Sequence, residues 1–475
     1  MPLPVINVAR MREWEDATWE SGQSVETVMR QAGAAVAQTA MQLTPPGASV
    51  LVLAGKGNNG GDARYAVEYI SDREITLIDA TDPSKALDEL PHHQAKIGSD
   101  ECLIIDGLFG IGLNRPLEGD WLSLIAFINE MGQPVLAVDC PSGLDCDTGE
   151  VLGAVIKADV TVTFGAPKIG MISSEAEACV GRIEVAADIG LVPLTPNSDI
   201  QWIMPSDFDG FPPARPTSGH KGTFGHLGII AGSQGYHGAA VIAAKAAHRA
   251  MPGLVTLFTT PEAYQPVAAQ LAQTMVKPLS AEFEPPPKCT ALLVGPGLAG
   301  PEIGDEIRDT VRRLWVESPL PLIADASALD WLPQDASPPA PRIITPHPGE
   351  AGRMINGNSG PEKTIRLRLA PLLHDRYGGC HVVLKGNRTV ISHGKEQRYI
   401  NSSGNPDLGQ GGSGDALAGY LGGLLAQPSL HPALDRLVRF AVWEHGRTAD
   451  LLSDSSLAWD LEDFILRLGN SRLSL

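Results

Sequence analysis

No run of about 18 apolar residues occurs anywhere in the 475-residue chain, so no segment has the length of a membrane-spanning helix. The amino-terminal stretch MPLPVINVARMREWEDATWE also lacks an apolar core of signal-peptide length, and a cytoplasmic protein is therefore expected. Cysteine is scarce: the six, at 102, 140, 146, 179, 289 and 380, include no C-x-x-C pair and fall short of the density of a disulfide scaffold. They are expected as reduced, mostly buried thiols. Cys140 and Cys146 share one motif but have no histidine beside them, so metal ligation is not expected there. Positive charge is in deficit, with 36 Lys and Arg against 55 Asp and Glu and a formal net charge of −19. Such a balance repels a phosphate backbone and excludes nucleic acid as a natural partner; an anionic ligand must be held by local dipoles or a few placed cations.

What is present is an ordinary globular composition, 43% hydrophobic and 19% charged, in a chain too long for one core. At ~100–200 residues per domain, two or three domains are expected. From 49 to 165, short β-branched or apolar runs (SVLVLAG, EITLIDA, ECLIIDG, PVLAVDC, ADVTVTFGAP) alternate with helical segments, the rhythm of a parallel α/β sheet. Amphipathic helices precede them in EWEDATWESGQSVETVMRQAGAAVAQTAMQL. The proline-rich segment 191–220 reads as the domain junction. After it the rhythm restarts with HLGIIAG, GLVTLFTT, ALLVGPG, PLIADAS, RIITPHPGE, HVVLKG and TVISHG, without repeating the first half's motifs.

The stretch LVLAGKGNNGGDARYAVEYI carries Gly55-x-Gly57-x-x-Gly60 after an apolar run, and Asp79 ends the next strand. Read alone, this is a dinucleotide-binding fingerprint with its ribose-binding acid. Two features oppose that reading. Asn58 and Asn59 stand where small or apolar residues are usual, and Asp62 is expected in the first helical turn, where a pyrophosphate wants positive potential. Asp106 and Asp139 each end an expected strand, the edge of an open α/β sheet where ligands bind. Singly each reads as a cap or loop residue. With Asn59 and Ser142 on the same edge, the set offers hard oxygen ligands suited to a weakly held alkali cation.

The blocks GKGNNGGD, DGLFGIGL, AVDCPSGLD and DVTVTFGAPKIG, in this order over roughly 8–190, resemble the signature of the NAD(P)H-hydrate epimerases. The resemblance implies that the glycines face a damaged dinucleotide as substrate. It implies that Asn58, Asn59, Gly60, Gly61 and Asp62, with Gly110, Ile111, Gly112, Leu113, Asn114, Arg115 and Pro116, bind the hydrate. Asn59, Asp106 and Ser142 would hold potassium, and Asp139 would act at the nicotinamide end as the catalytic acid or base. The family's GGDG followed by an apolar residue is here Gly61-Asp62-Ala63-Arg64.

In NSSGNPDLGQGGSGDALAGYLGGLLAQ, Gly409, Gly411, Gly412 and Gly414 precede an amphipathic helix with Asp415 in its first turn. Asp there is a common helix cap, but a glycine nest at a helix N-terminus is an anion hole, and an acid beside it can take the proton of an attacking hydroxyl. Lys385 ends an apolar strand with no partner near it in sequence, whereas His347 in a proline-bounded turn reads first as a buried neutral residue. With HKGTFGHLGIIAGSQGYHGAA, LLVGPGL, TPHPGEA and VVLKGNRTVI, the block resembles the ribokinase-like ADP-dependent NAD(P)H-hydrate dehydratases over roughly 216–470. By that resemblance Ala239, Gly297, His347 and Asp415 contact the hydrate, Lys385, Gly386, Asn387, Arg388, Thr389 and Gly414 contact the nucleotide, and Asp415 is catalytic. Ser327, Met251-Pro252 and Gly409 depart from the family pattern.

Together these imply an α/β protein of two domains: a Rossmann-like α/β/α sandwich over 1–205 that epimerises hydrated NADH and NADPH at C6, and a ribokinase-like domain over 206–475 that dehydrates one epimer. The implied cofactors are K+ in the first, and Mg2+ with ADP or ATP as co-substrate in the second. An NAD-dependent oxidoreductase built on 51–79, or a first half that only binds, are the rival readings. The sequence leaves the oligomeric state open, a homo-oligomer included.

Overall fold

The structure is a computed structural model that describes residues 2–94, 102–193, 198–280, 282–356, 366–394, 397–456 and 458–470. The chain divides into two compact units, one of residues 3–198 and one from 199 onward. Part of the expected junction, 194–197, lies outside the described residues. Ile200–Trp202, placed by composition in the first domain, pairs parallel with Arg398–Ile400 and so belongs to the second sheet. Composition could not show this, because a three-residue strand takes its identity from its partner.

The first unit holds a six-stranded parallel sheet in the order Glu74–Asp79, Ser49–Ala54, Cys102–Gly107, Val135–Val138, Val160–Phe164 and Arg182–Ala186. Its strands are apolar throughout because both faces are covered. Val50 and Val52 pack with Val28, Val36, Ala63 and Ala66 of the helices Val25–Leu43 and Asn58–Tyr69. On the other face, Leu51 and Leu53 pack with Leu90, Leu124 and Ile128 of the helices Pro83–Gln94 and Asp120–Glu130. This is the expected three-layer sandwich. Strand order reverses between Ser49–Ala54 and Cys102–Gly107, which opens a crevice at their carboxyl ends.

In the second unit the strands Met275–Pro278, Leu254–Thr259, His226–Ile230, Ala291–Val294, Leu322–Ala324, Arg342–Ile344 and His381–Leu384 are neighbours and parallel. Val390–Ser392 and Arg398–Ile400 continue antiparallel as a meander. Leu227 and Ile229 share one core with the helices His237–Arg249, Ser413–Leu425 and Leu434–Ser455. The helices His237–Arg249 and Ser413–Leu425 approach closely through small residues: a Cβ on Gly419 would meet the backbone of Ala243, and one on Gly423 that of Ala247. This contact sets where Ser413–Leu425 begins.

The expectation of six free thiols is corrected. Cys102, Cys179, Cys289 and Cys380 are free and buried, but Cys140 and Cys146 are bonded to each other, with a Cα separation of 7.1 Å. The chain turns back between them, with Gly143 at φ 100°, a reversal that spacing alone did not reveal.

Candidate active sites

In the first unit the chain leaves Ser49–Ala54 through Gly55-Lys56-Gly57 and enters the helix Asn58–Tyr69. The three glycines serve different needs. A Cβ on Gly55 would press into the Leu108 carbonyl, and one on Gly60 into the Gly55 carbonyl, whereas Gly57 stands at φ 97° with nothing within 4 Å of a Cβ. Asp62 falls beyond the first turn, correcting the expected position, because the helix begins at Asn58. Arg64 reaches back to the carbonyls of Gly55 and Ala54 and pairs with Asp79 at 3.1 Å. The acid of a conventional ribose contact thus carries an ion pair at the surface, its side chain 68% exposed. Ala63, where the family has glycine, is fully buried, and a Cβ on Gly107 would strike it.

A pocket of about 590 Å³ opens beside this loop. Of the expected substrate contacts, Asn58, Asn59, Asp62, the run Gly110, Ile111, Gly112, Leu113, Asn114 and Arg115, and Asp139 line it; Arg12, Glu15 and Lys56 line it as well. Gly60, Gly61 and Pro116 do not. Gly60 lies against Gly55, and a Cβ on Gly61 would meet the Met29 side chain. Asp139 stands at φ 61° and is buried. Its Oδ1 accepts from Thr163 Oγ1 at 3.1 Å, the Phe164 amide at 3.1 Å and Lys168 Nζ at 2.5 Å; among the described residues no donor reaches Oδ2. Lys168 is fully buried and also donates to Thr163 and the Phe164 carbonyl. Burial, then repulsion by Asp139 and Glu15, pushes the Asp62 carboxyl well up. Burial likewise raises Glu15.

Asn59, Asp106 and Ser142 meet around the turn Phe109-Gly110. Ser142 donates to Asp106 Oδ1 at 2.6 Å and accepts from the Phe109 amide at 2.8 Å, while a Cβ on Gly110 would lie 3.1 Å from Asn59 Oδ1. Asp106 is fully buried and its pKa is raised to about 6 by burial, against the hydrogen bonds from Ser142 and Leu108. Both polar atoms of the buried Asn59 amide lack a hydrogen-bond partner among the described residues. An orphaned amide oxygen beside a buried carboxylate is a donor set that fits a monovalent cation.

In the second unit Gly412, at φ 98°, caps the helix Ser413–Leu425, and Asp415 lies in its first turn as expected. Lys385, at the end of His381–Leu384, sits with Nζ 3.3 Å from where a Gly414 Cβ would be. Its partner, which sequence reading did not supply, is Asp325 at 2.8 Å, buried at the end of Leu322–Ala324 and also bonded to Thr345 Oγ1 at 2.7 Å. Asp325, Glu350 and Asp415 all act on this one ammonium and, outweighing burial, raise its pKa. Asp415 itself is raised to about 7, by burial first and then by Asp325, with Lys385 opposing. Three carboxylates against one ammonium leave a negative surplus that fits a divalent cation arriving with phosphates.

Gly297, at φ 64°, lies against Ala239, whose Cβ is 2.9 Å from a Cβ placed on that glycine, so these two expected contacts adjoin. His347 is half-exposed, correcting the buried reading; its Nδ1 accepts from the amides of Gly349 and Glu350, and its own amide donates to Glu350. The segment Gly386, Asn387, Arg388 and Thr389 is tied down by Arg366, which donates to the Asn387 and Arg388 carbonyls, and by the bond from Thr389 Oγ1 to the Gly386 carbonyl. The buried His445 bonds the Ser413 carbonyl, and burial lowers its pKa to about 4. Nothing in the structure explains Ser327.

Comparison with known proteins gives each unit a relative. The family model described as NAD(P)H-hydrate dehydratase matches residues 227–466, and the model of the YjeF-related protein N-terminus matches 25–170. The bifunctional NAD(P)H-hydrate repair enzyme Nnr of Coxiella burnetii is 33% identical over 93% of this chain and 93% of its own length. That of Escherichia coli K12 is 34% identical over 95% of this chain and 91% of its own. Among solved structures, the ADP/ATP-dependent NAD(P)H-hydrate dehydratase of Bacillus subtilis, co-crystallised with ATP and Mg2+, is 28% identical and covers 55% of this chain and 93% of its own, with a TM-score of 0.48. Matched at nearly full length on both sides, with one family model on each compact unit, the chain belongs to the bifunctional NAD(P)H-hydrate repair enzymes.

Proposed function

We propose that the protein repairs hydrated NADH and NADPH, the first unit equilibrating the two C6 epimers and the second dehydrating the S form with ADP as phosphoryl donor, giving AMP and phosphate. The observation that carries this reading is Asp415, raised to about 7 at the mouth of a glycine-capped helix and facing Lys385. A base with a pKa near neutrality is matched to abstracting a hydroxyl proton.

In the second unit Asp415 takes the C6 hydroxyl proton as that oxygen attacks the terminal phosphorus of the donor, and AMP leaves. Lys385 and the amides of the Gly414 turn hold the phosphates, while Gly386, Asn387, Arg388 and Thr389 hold the rest of the nucleotide; Ala239, Gly297 and His347 border the hydrate. Phosphate then departs from C6, pushed by the ring nitrogen, and loss of a C5 proton restores the double bond. Hydroxide would leave far less readily. Mg2+, when bound by the surplus carboxylates, supplies neutralisation of the phosphate charge.

In the first unit C6 bears a hydroxyl and the ring nitrogen, so its configuration inverts if the C–O bond breaks and re-forms. Asp139 presents Oδ2 for the proton, and Lys168 fixes the carboxylate through Oδ1. Asn59, Asp106 and Ser142 would hold potassium, which supplies charge to shape the Phe109-Gly110 turn. The near full-length likeness to bifunctional NAD(P)H-hydrate repair enzymes supports this reading over a conventional NAD-dependent oxidoreductase. We assign the protein to the cytoplasm; among the described residues no helix is long and apolar enough to cross a membrane.

The test is to incubate the protein with hydrated NADH plus ADP or ATP and follow the return of reduced-nicotinamide absorbance. Recovery is expected with a nucleotide and not without one. Turnover of an alcohol with NAD alone, and none of the hydrate, would overturn the proposal.

A further inference from the structure

Antiparallel pairing of His381–Leu384 with Val390–Ser392 sets Val382 opposite Ser392, which places His381 opposite His393, just beyond the strand end. Directly opposed residues share a face of the sheet. The two imidazoles lie 5.4 Å apart with planes inclined by 19°. From the first turn of the helix Leu434–Ser455, Asp435 reaches both: its Oδ1 is 2.8 Å from His381 Nε2, and its Oδ2 2.9 Å from His393 Nε2. One ligand atom from each residue falls within 4.8 Å of the other two. Neither reaction assigned above uses these residues. They sit at the end of the hairpin opposite the turn that carries Lys385 to Thr389.

We propose that His381, His393 and Asp435 form a binding site for a divalent transition-metal ion of the zinc class. Two imidazoles and one carboxylate are a donor set for zinc and its neighbours rather than for Mg2+ or Ca2+, which prefer all-oxygen shells. The two halves of the set are presented by a strand pair and a helix, so little ordering remains when an ion arrives. Side-chain exposures of 14%, 37% and 43% leave the cluster reachable and a coordination position for water. Arg439 is the nearby opposing charge; its Nε donates to the Asp435 backbone carbonyl at 3.3 Å and its guanidinium lies over the Tyr399 ring at 4.2 Å, so it does not bond the Asp435 carboxylate. His374 also lies within electrostatic reach, but its Nδ1 is engaged with the Cys380 carbonyl at 2.8 Å. The ion would tie the hairpin to the helix Leu434–Ser455 as a structural clamp.

The test is a titration of the metal-free full-length protein with Zn2+ against a chromophoric competing chelator, with Mg2+ and K+ saturating. One equivalent is expected to be taken from the chelator, and Co2+ in its place should give the visible bands of a four-coordinate ion. His393→Gln and Asp435→Asn should each weaken binding by about tenfold or more, while melting of the metal-free variants reports whether they fold. His393 is partly exposed, so its variant carries the test if Asp435→Asn fails to fold. Zn2+ uptake indistinguishable between wild type and His393→Gln, or no uptake against the chelator, overturns the proposal and leaves the trio as a hydrogen-bonded cluster only.

Discussion

Asp415 and Asn59 give the sharpest expectations at the scale of single residues. The carboxyl of Asp415 is raised to about 7, and only its ionised form can accept the hydroxyl proton. The kcat/KM for dehydration should therefore climb with pH through about 7 and level off above it; a profile that falls across this interval would assign the opposite role. Asp415→Asn keeps size and loses only a first-turn charge, so folding should change by about 1 kcal/mol or less, while dehydration slows by ~10²–10⁴-fold and epimerisation in the same sample is untouched. Near wild-type dehydration would leave Asp415 only a first-turn acid facing the helix dipole. Asn59 poses the converse case, since its buried amide makes no hydrogen bond among the described residues. Asn59→Ala should leave the potassium-free melting temperature unchanged or slightly higher, because it removes an unsatisfied polar group worth about 1–3 kcal/mol. Stabilisation of the first unit by added K+ should vanish in this variant. If K+ stabilises wild type and variant alike, Asn59 is no ligand.

Elements whose both faces are covered read directly from the chain: SVLVLAG and HLGIIAG are continuous apolar runs and become central strands. The edge strands Arg182–Ala186 and Met275–Pro278 escaped because half-exposed residues carry no such pattern. The same limit applies within the sites. The glycine loops and terminal acids stand out as motifs, but Lys168 and Asp325 act through partners 29 and 60 residues away, a pairing made by sheet order alone. The motif also concealed a division of labour, since Gly55 and Gly60 are required by packing and only Gly57 by its open turn. Gly60→Ala would drive a methyl into the Gly55 carbonyl and push the helix Asn58–Tyr69 off its strand. A loss of about 1–3 kcal/mol in the first unit is expected, with epimerisation lost and dehydration kept. Unaltered epimerisation in Gly60→Ala would show that the loop tolerates the shift.

For the whole molecule, two compact units, each with its own hydrophobic core, imply separable folding. Cutting the chain between Ser198 and Asp199 should give two soluble pieces with cooperative melts, each retaining one activity; an epimerase that needs the second piece in trans would overturn this. The net charge of −19 adds that the intact chain should not bind nucleic acid at physiological salt. Such independence lets the two halves drift apart over generations, and Asp139 shows by which route. Its left-handed backbone, φ 61°, is comfortable for Asp, Asn and Gly but strained for most other residues, glutamate among them. Replacements that suit the turn thus delete the acid, and the one that retains an acid disturbs the turn. A descendant lineage losing Asp139 to Asn or Gly would keep the turn but strand the fully buried Lys168 ammonium without its carboxylate, so its first half could become a silent receptor for the same ligand only once Lys168 had been replaced as well.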